Sequence, residues 1–292
     1  MAQWSGKSKG LVLGYRIFIF TIQKLGIGFA YALLYFVAFY YFLFSVQGRK
    51  ASYRYFRDRL GYSKLKSFIG VYRNNYVFGQ TLIDKAAISS GLRNKYSFEF
   101  DGVELLKKML DDNKGGVLIS AHVGNFELAQ FFFDEIDGQS KIHLVTTDTE
   151  HQAIKTYLEG ISKQSKIKFI VIRDDLSHIF EINQALQQND LVCFTGDRYI
   201  EGGKVMVEEL LDKEARFPAG TFMIGSRLQV PVVFVYVMKE SKRHYHFFAR
   251  EANFENRDAK ALLKNYTRSV EWILSKYPYQ WFNFYDFWED LK

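Results

Sequence analysis

The sequence predicts an α/β fold, a mostly parallel central sheet flanked by helices, with a membrane-associated helix near the N-terminus. Three observations carry this. From about residue 98 onward, short apolar runs alternate with helix-patterned stretches, the order expected of βαβ units. Several runs, 232–237 (VVFVYV) above all, are apolar at every position and suit strands covered on both faces. Before residue 50, one uncharged apolar run stands apart, bracketed by cations.

The N-terminal part holds the charge. Residues 1–73 carry twelve Lys/Arg and a single acid, Asp58, for +11, whereas the remaining residues carry 27 basic and 31 acidic groups, for −4. The overall +7 is therefore no basic face on the α/β region, and nucleic-acid binding is excluded as a reading. The apolar run is Leu25 to Val46, 22 residues without a charge, including Tyr31, Tyr35, Tyr40 and Tyr41. As a helix it measures about 33 Å, close to the hydrocarbon thickness of a bilayer, about 30 Å. It is too long for the apolar core of a secretory signal and lacks a small-residue cleavage site. Three fates stay open: a spanning helix, a helix lying in the interface, or a buried core helix. The cations on its flanks favour anionic lipid, the denser cluster being Arg49 to Arg59.

Residues 50–93 read as helical. Strand-like runs follow at 98–104, 115–122, 141–147, 166–172, 191–197, 230–238 and 244–252. Helix-like stretches lie between them at 104–111, 126–134, 151–163, 176–188, 219–227 and 259–277. No repeat and no low-complexity linker divides this region, so the expected division is 1–50 as basic lead-in and membrane helix, with 51–292 as one catalytic-sized domain. Hydrophobic residues at 48% exclude wholesale disorder, and a single cysteine excludes a disulfide framework. Aromatic residues at 17% suit an apolar pocket or a membrane interface, and also simply fill cores.

Few motifs carry chemistry. SGKSKG (5–10) lacks the upstream glycine and strand of a phosphate loop, and no GxSxG elbow is present. Cys193, inside LVCF, reads as a core thiol. His244 and His246 share a strand face, but no sequence neighbour completes a metal set, so they read as a surface pair. The informative segment is 115–127, GGVLISAHVGNFE. An apolar strand ends at Ser120–Ala121, His122 follows, Gly124 and Asn125 make a turn, and Phe126 opens a helix. Ligands of open α/β sheets collect outside the carboxyl ends of strands, which is where this puts His122. Glu127 stands in the first helical turn, within reach of one imidazole nitrogen, which would fix the tautomer and leave the other nitrogen as a base. Free backbone N–H groups near Gly124 and Asn125 would stabilise developing negative charge. From these residues alone, catalysis and a structural turn histidine both remain readings.

The His-x4-Glu of His122 and Glu127 resembles the His-x4-Asp/Glu signature of glycerolipid-type acyltransferases. The surrounding HVGNFE looks most like the branch containing bacterial lipid A lauroyl/myristoyl (late) acyltransferases and phosphatidylinositol mannoside acyltransferases. Three further segments agree and keep the family's order: LVCFTGDRYIEGGKV (191–205), FPAGTFMIGSRLQVPVVFVYV (217–237) and YPYQWFNFYDFW (277–288). The chain departs at 209–212, where Glu-Leu-Leu-Asp replaces the usual Phe-Phe-Gly, and at Tyr285-Asp286, where the family carries His-Arg.

The resemblance implies a bacterial inner-membrane enzyme with its catalytic domain on the cytoplasmic side. Such an enzyme transfers an acyl chain from an acyl carrier protein or coenzyme A thioester to a lipid-borne hydroxyl, lipid A-type by default. An aminoacyl lipid, another glycolipid or a polyene pigment is the alternative acceptor. It implies a His122–Glu127 dyad, no acyl-enzyme, no metal and no cofactor. Gly124, Asn125, Asp197 and Arg198 join as binding residues. Arg173, at another strand end, reads either as a phosphate or oxyanion ligand or as a surface ion pair with Asp174 or Asp175. A catalytically silent lipid-binding module is the rival reading.

Overall fold

The computed structural model describes residues 20–22, 24–129, 140–146, 167–173, 175–199 and 202–288. The expected helix at 151–163 and most of that at 126–134 lie outside them. Five-residue strands β1 (Ser97–Asp101), β2 (Gly116–Ser120), β3 (Ile142–Thr146), β4 (Ile167–Val171) and β5 (Leu191–Thr195) join the longer β8 (Val232–Lys239) and β9 (His244–Glu251). They form one seven-stranded sheet in the order β1-β9-β8-β2-β5-β3-β4. All neighbours are parallel except β8 and β9, which form an antiparallel hairpin. The predicted mostly parallel sheet is therefore present.

Alternate residues of the central strands enter two cores. Val117, Ile119, Val192, Phe194, Phe234 and Tyr236 face one side. There they meet helices α5 (Ser177–Gln187), α6 (Ala219–Gly225) and α7 (Ala259–Lys276). Leu118, Leu191, Cys193, Val233, Val235 and Val237 face the other side. That side is covered by α4 (Val103–Asp111) and by two N-terminal helices, α1 (Ile27–Phe44) and α3 (Lys64–Ala87). Both faces of β2 and β8 are buried, which is why their sequences show no alternation. Cys193 is one of these core residues, and burial pushes its thiol up to about 12, far from a nucleophile's range.

The apolar run is not one 22-residue helix. It ends at Phe44, and after Ser45 the chain continues as α2 (Val46–Arg54). α1 buries Ile27, Ala30, Tyr31, Leu34 and Ala38, a stripe at helical spacing. Leu34 seats against Gly79 of α3, where a Cβ would stand 2.3 Å from Leu34 Cδ1. The opposite face leaves Phe29, Phe36, Phe39, Tyr40 and Phe44 exposed, Phe36 by 76%, and Leu65, Phe68 and Ile69 at the start of α3 extend it. A purely buried core helix is thereby ruled out.

A hairpin that the sequence reading missed, β6 (Val205–Glu209) with β7 (Glu214–Pro218), lies apart from the main sheet. Its turn carries Leu211 at φ +52° and Asp212 at φ +60°, the backbone of a primed hairpin turn built without glycine. The Glu-Leu-Leu-Asp departure at 209–212 is this turn, with Leu210 buried beneath it.

Candidate active site

His122 follows β2, the strand between β5 and β8 at the centre of the sheet, and so emerges at its carboxyl end. Its Nδ1 lies 2.7 Å from Asp197 Oδ1, and its main-chain N–H donates to Asp197 Oδ2 at 2.9 Å. Asp197 comes two residues after β5, the parallel neighbour of β2 in register Ser120 to Thr195. Adjacent parallel strands that end together thus deliver a base and an acid to one point. The carboxylate is 2% exposed and the imidazole 22%. Burial alone would push the Asp197 carboxyl up. The His122 charge and its two hydrogen bonds, with the Arg198 guanidinium, more than offset this and hold it at about 2. A carboxylate on Nδ1 puts the ring proton there, so Nε2 carries the lone pair. No described residue hydrogen-bonds Nε2.

The C-terminal segment forms one wall. Val123 bridges Trp281, Phe282 N–H donates to the His122 carbonyl at 2.9 Å, and Gly124 N–H donates to the Gln280 carbonyl at 2.8 Å. Arg198 donates to the Phe282 carbonyl at 3.0 Å and to Asn283 Oδ1 at 3.3 Å. Tyr285, where the family pattern has His, donates its hydroxyl to the Asp197 carbonyl at 3.3 Å. Trp281, Asn283 and Tyr285 were not anticipated as site residues. Their only signal was the aromatic segment 277–288.

Two sequence readings need correction. The N–H groups of Gly124 and Asn125 are not free for an oxyanion: the first is held by Gln280, the second by the Val237 carbonyl at 2.7 Å. Asn125 also donates its side-chain amide to the Thr81 carbonyl at 2.9 Å, so it orders the loop against α3. Gly124 sits at φ +66°, and a Cβ there would lie 2.2 Å from the Val237 oxygen. Only glycine fits. Arg173 is not brought to His122. It follows β4, three strand spacings from β2, roughly 14 Å. Its guanidinium pairs instead with Glu181 at 2.6 Å and Ser177 at 3.1 Å. Among the described residues the ion-pair reading holds, with Glu181 as the partner.

The carboxylate in contact with Nδ1 is that of Asp197. Glu127 stands in the short helical turn Phe126–Ala129, and its side chain lies outside the described residues. A second His–Asp pair, His143 Nε2 to Asp190 Oδ2 at 2.8 Å, sits at the amino ends of β3 and β5. There Asp190 also caps the Lys141 N–H, which marks a structural link rather than a site.

A partly exposed imidazole at the carboxyl end of a central parallel strand, its Nδ1 held by a buried acid, has the geometry of a general base. The comparison with protein families gives that chemistry its place. The chain belongs to the bacterial lipid A biosynthesis acyltransferase family, whose profile matches residues 17–289. It is an acyltransferase acting on a lipid-type acceptor. No curated protein gave a significant match.

Proposed function

We propose that this chain transfers a fatty acyl group from an acyl carrier protein or coenzyme A thioester to a hydroxyl of a lipid A-type glycolipid, with His122 as the general base. The observation that carries the reading is the Asp197–His122 pair, which leaves Nε2 as a lone pair at the carboxyl end of β2. An alcohol with a pKa far above 7 is a poor nucleophile. Nε2 takes its proton as the oxygen bonds to the thioester carbonyl. The tetrahedral adduct then expels the thiolate, which recovers the proton from the imidazolium. General-base help of this kind contributes roughly 10²–10⁴ in rate. Asp197 stabilises the imidazolium that forms between the two steps. Arg198 and the Gly124–Asn125 turn hold the surrounding wall in place. Glu127, which the family signature pairs with His122, is proposed as the other member of the dyad.

The exposed apolar face of α1 and the start of α3 supports attachment to the bacterial inner membrane, with residues 1–50 as the lead-in and 51–292 as the transferase domain. The opposite face of α1 is packed on α3, which favours a helix seated in the interface over one that spans alone. The cations Arg49 to Arg59 suit the anionic headgroups of that membrane.

The test is His122→Ala in purified, folded protein supplied with acyl thioester and lipid acceptor. Turnover near that of the wild type defeats the proposal, as does tight lipid binding without transfer across a broad acceptor panel. Mass spectrometry of lipid extracts from a deletion strain and its parent identifies the acceptor and chain length together.

A further inference from the structure

His244 and His246 meet two carboxylates in the fold, Glu99 of a neighbouring strand and Glu240, four residues before His244. β1 runs parallel to β9 with Glu99 opposite His246, so Glu99, His244 and His246 share one face. Glu240, in the turn after β8, approaches the same point. His244 Nε2 lies 3.7 Å from Glu99 Oε2 and 3.7 Å from Glu240 Oε2. One ligand atom from each of the three residues lies within 4.8 Å of the other two. Ligands about 2.1 Å from a tetrahedral ion stand about 3.4 Å from one another, so the two imidazole–carboxylate separations need only a few tenths of an ångström of adjustment.

Groups outside this triad hold the ligand atoms in the required orientation. Ser97 Oγ sits 2.8 Å from His244 Nδ1, where it accepts the ring proton once a cation takes Nε2. Glu240 Oε1 receives the Tyr277 hydroxyl and lies 3.2 Å from His246 Nδ1, so Oε2 is the oxygen facing His244. His246 Nε2 is buried without a partner among the described residues, which places that ring's proton on Nδ1, toward Glu240. Without a cation the two carboxylates keep a proton on His244 Nε2, and metal binding displaces it. A divalent cation at the shared point makes all three contacts attractive. The mixed nitrogen and oxygen set suits a first-row ion such as zinc better than calcium, which takes oxygen alone.

We propose that Glu99, Glu240 and His244 bind one divalent ion of the zinc type, with Ser97, His246 and Tyr277 fixing the ligands and water completing the coordination. The ion is a staple: it ties the β8–β9 turn to edge strand β1. The residue before Glu240 is Lys239, whose main-chain N–H and carbonyl both bond the Gln280 side chain, at 2.9 and 2.7 Å. The Gln280 carbonyl in turn holds Gly124 beside His122. The staple therefore supports the strand end on which the catalytic loop rests.

The experiment uses untagged full-length protein in detergent, stripped with a chelator, exposed to zinc chloride and desalted. Elemental analysis is expected to find about one zinc per chain, and zinc chloride is expected to raise the unfolding temperature. The double variant Glu240→Gln/His244→Gln is expected to retain less than about a tenth of that metal and to show no zinc-dependent shift. If the variant is unstable without zinc, Glu99→Gln replaces it, since that side chain is largely exposed, and its zinc affinity is expected to fall at least about tenfold. A wild-type protein that desalts free of zinc, or a variant that holds as much as the wild type, overturns the proposal.

Discussion

Replacing Asp197 by Asn keeps the shape of the site and removes its charge. The two carboxylate oxygens have separate tasks: Oδ1 meets Nδ1 of His122 and Oδ2 meets its main-chain N–H. An amide has one oxygen for these two donors. If its oxygen stays on the main chain, the amide NH₂ faces Nδ1, drives the ring proton to Nε2 and leaves no base. If its oxygen stays on Nδ1, the NH₂ confronts the main-chain N–H and the loop loses its anchor. Either way kcat is expected to fall by about 10²–10⁴. The stability cost follows from the carboxyl's displacement from an ordinary 3.8 to about 2, which corresponds to about 2 kcal/mol at neutral pH. Because the folded value is depressed, this stabilisation is complete above about pH 5 and is lost as pH falls through about 4 to 2. The assay is single-turnover acyl transfer in mixed micelles, with chemical unfolding of wild type and variant at pH 7 and pH 3. The wild type should lose more stability between those two conditions than the variant. A variant within about threefold of wild-type kcat would refute Asp197 as the group that sets the tautomer, and Glu127→Gln in the same assay would show whether the other carboxylate carries that role.

Gly124→Ala is expected to cost about 2 kcal/mol or more, from the left-handed backbone and the contact with the Val237 oxygen, and to abolish turnover. A stable, active variant would mean that the catalytic loop tolerates displacement. Asp84→Ala strands the buried Lys239 ammonium, which bonds Asp84 at 2.6 Å and is 5% exposed, and is expected to cost about 3–5 kcal/mol. Adding Lys239→Met should recover much of that loss in thermal unfolding; equal destabilisation of single and double variants contradicts the pairing. Phe36→Ser with Phe39→Ser removes two exposed rings from the face assigned to lipid. Each substitution is expected to weaken binding to anionic vesicles about tenfold or more in a sedimentation assay, with enzyme stability unchanged. Undiminished vesicle binding would move the membrane contact elsewhere.

The sheet was legible because its central strands are buried on both faces, so uninterrupted apolar runs and short helical spacers announced themselves. The hairpin at 205–218 was not, because its turn uses Leu211 and Asp212 in the conformation normally flagged by glycine or asparagine. His122 was legible by its place after a strand. The carboxylate on its Nδ1 was harder: spacing points to Glu127, near in sequence, whereas Asp197 comes near only through the β2–β5 register. The same blindness hid Glu99 beside His244, which arrives through the β1–β9 register. Spacing along the chain exposes partners on one element and conceals those supplied by strand pairing.

Tyr31 of α1 donates its hydroxyl to Asp84 and accepts from the Lys239 ammonium, which also donates to the Lys242 carbonyl, inside a node that Tyr96 and Tyr245 also enter. Clipping off the greasy N-terminal helix to obtain a water-soluble enzyme would therefore do more than shed an anchor. The truncated chain would open a charged hole two residues from Val237, the residue that pins the catalytic loop, and such a preparation is expected to precipitate or to lie inert even when its acyl substrates are delivered in solution.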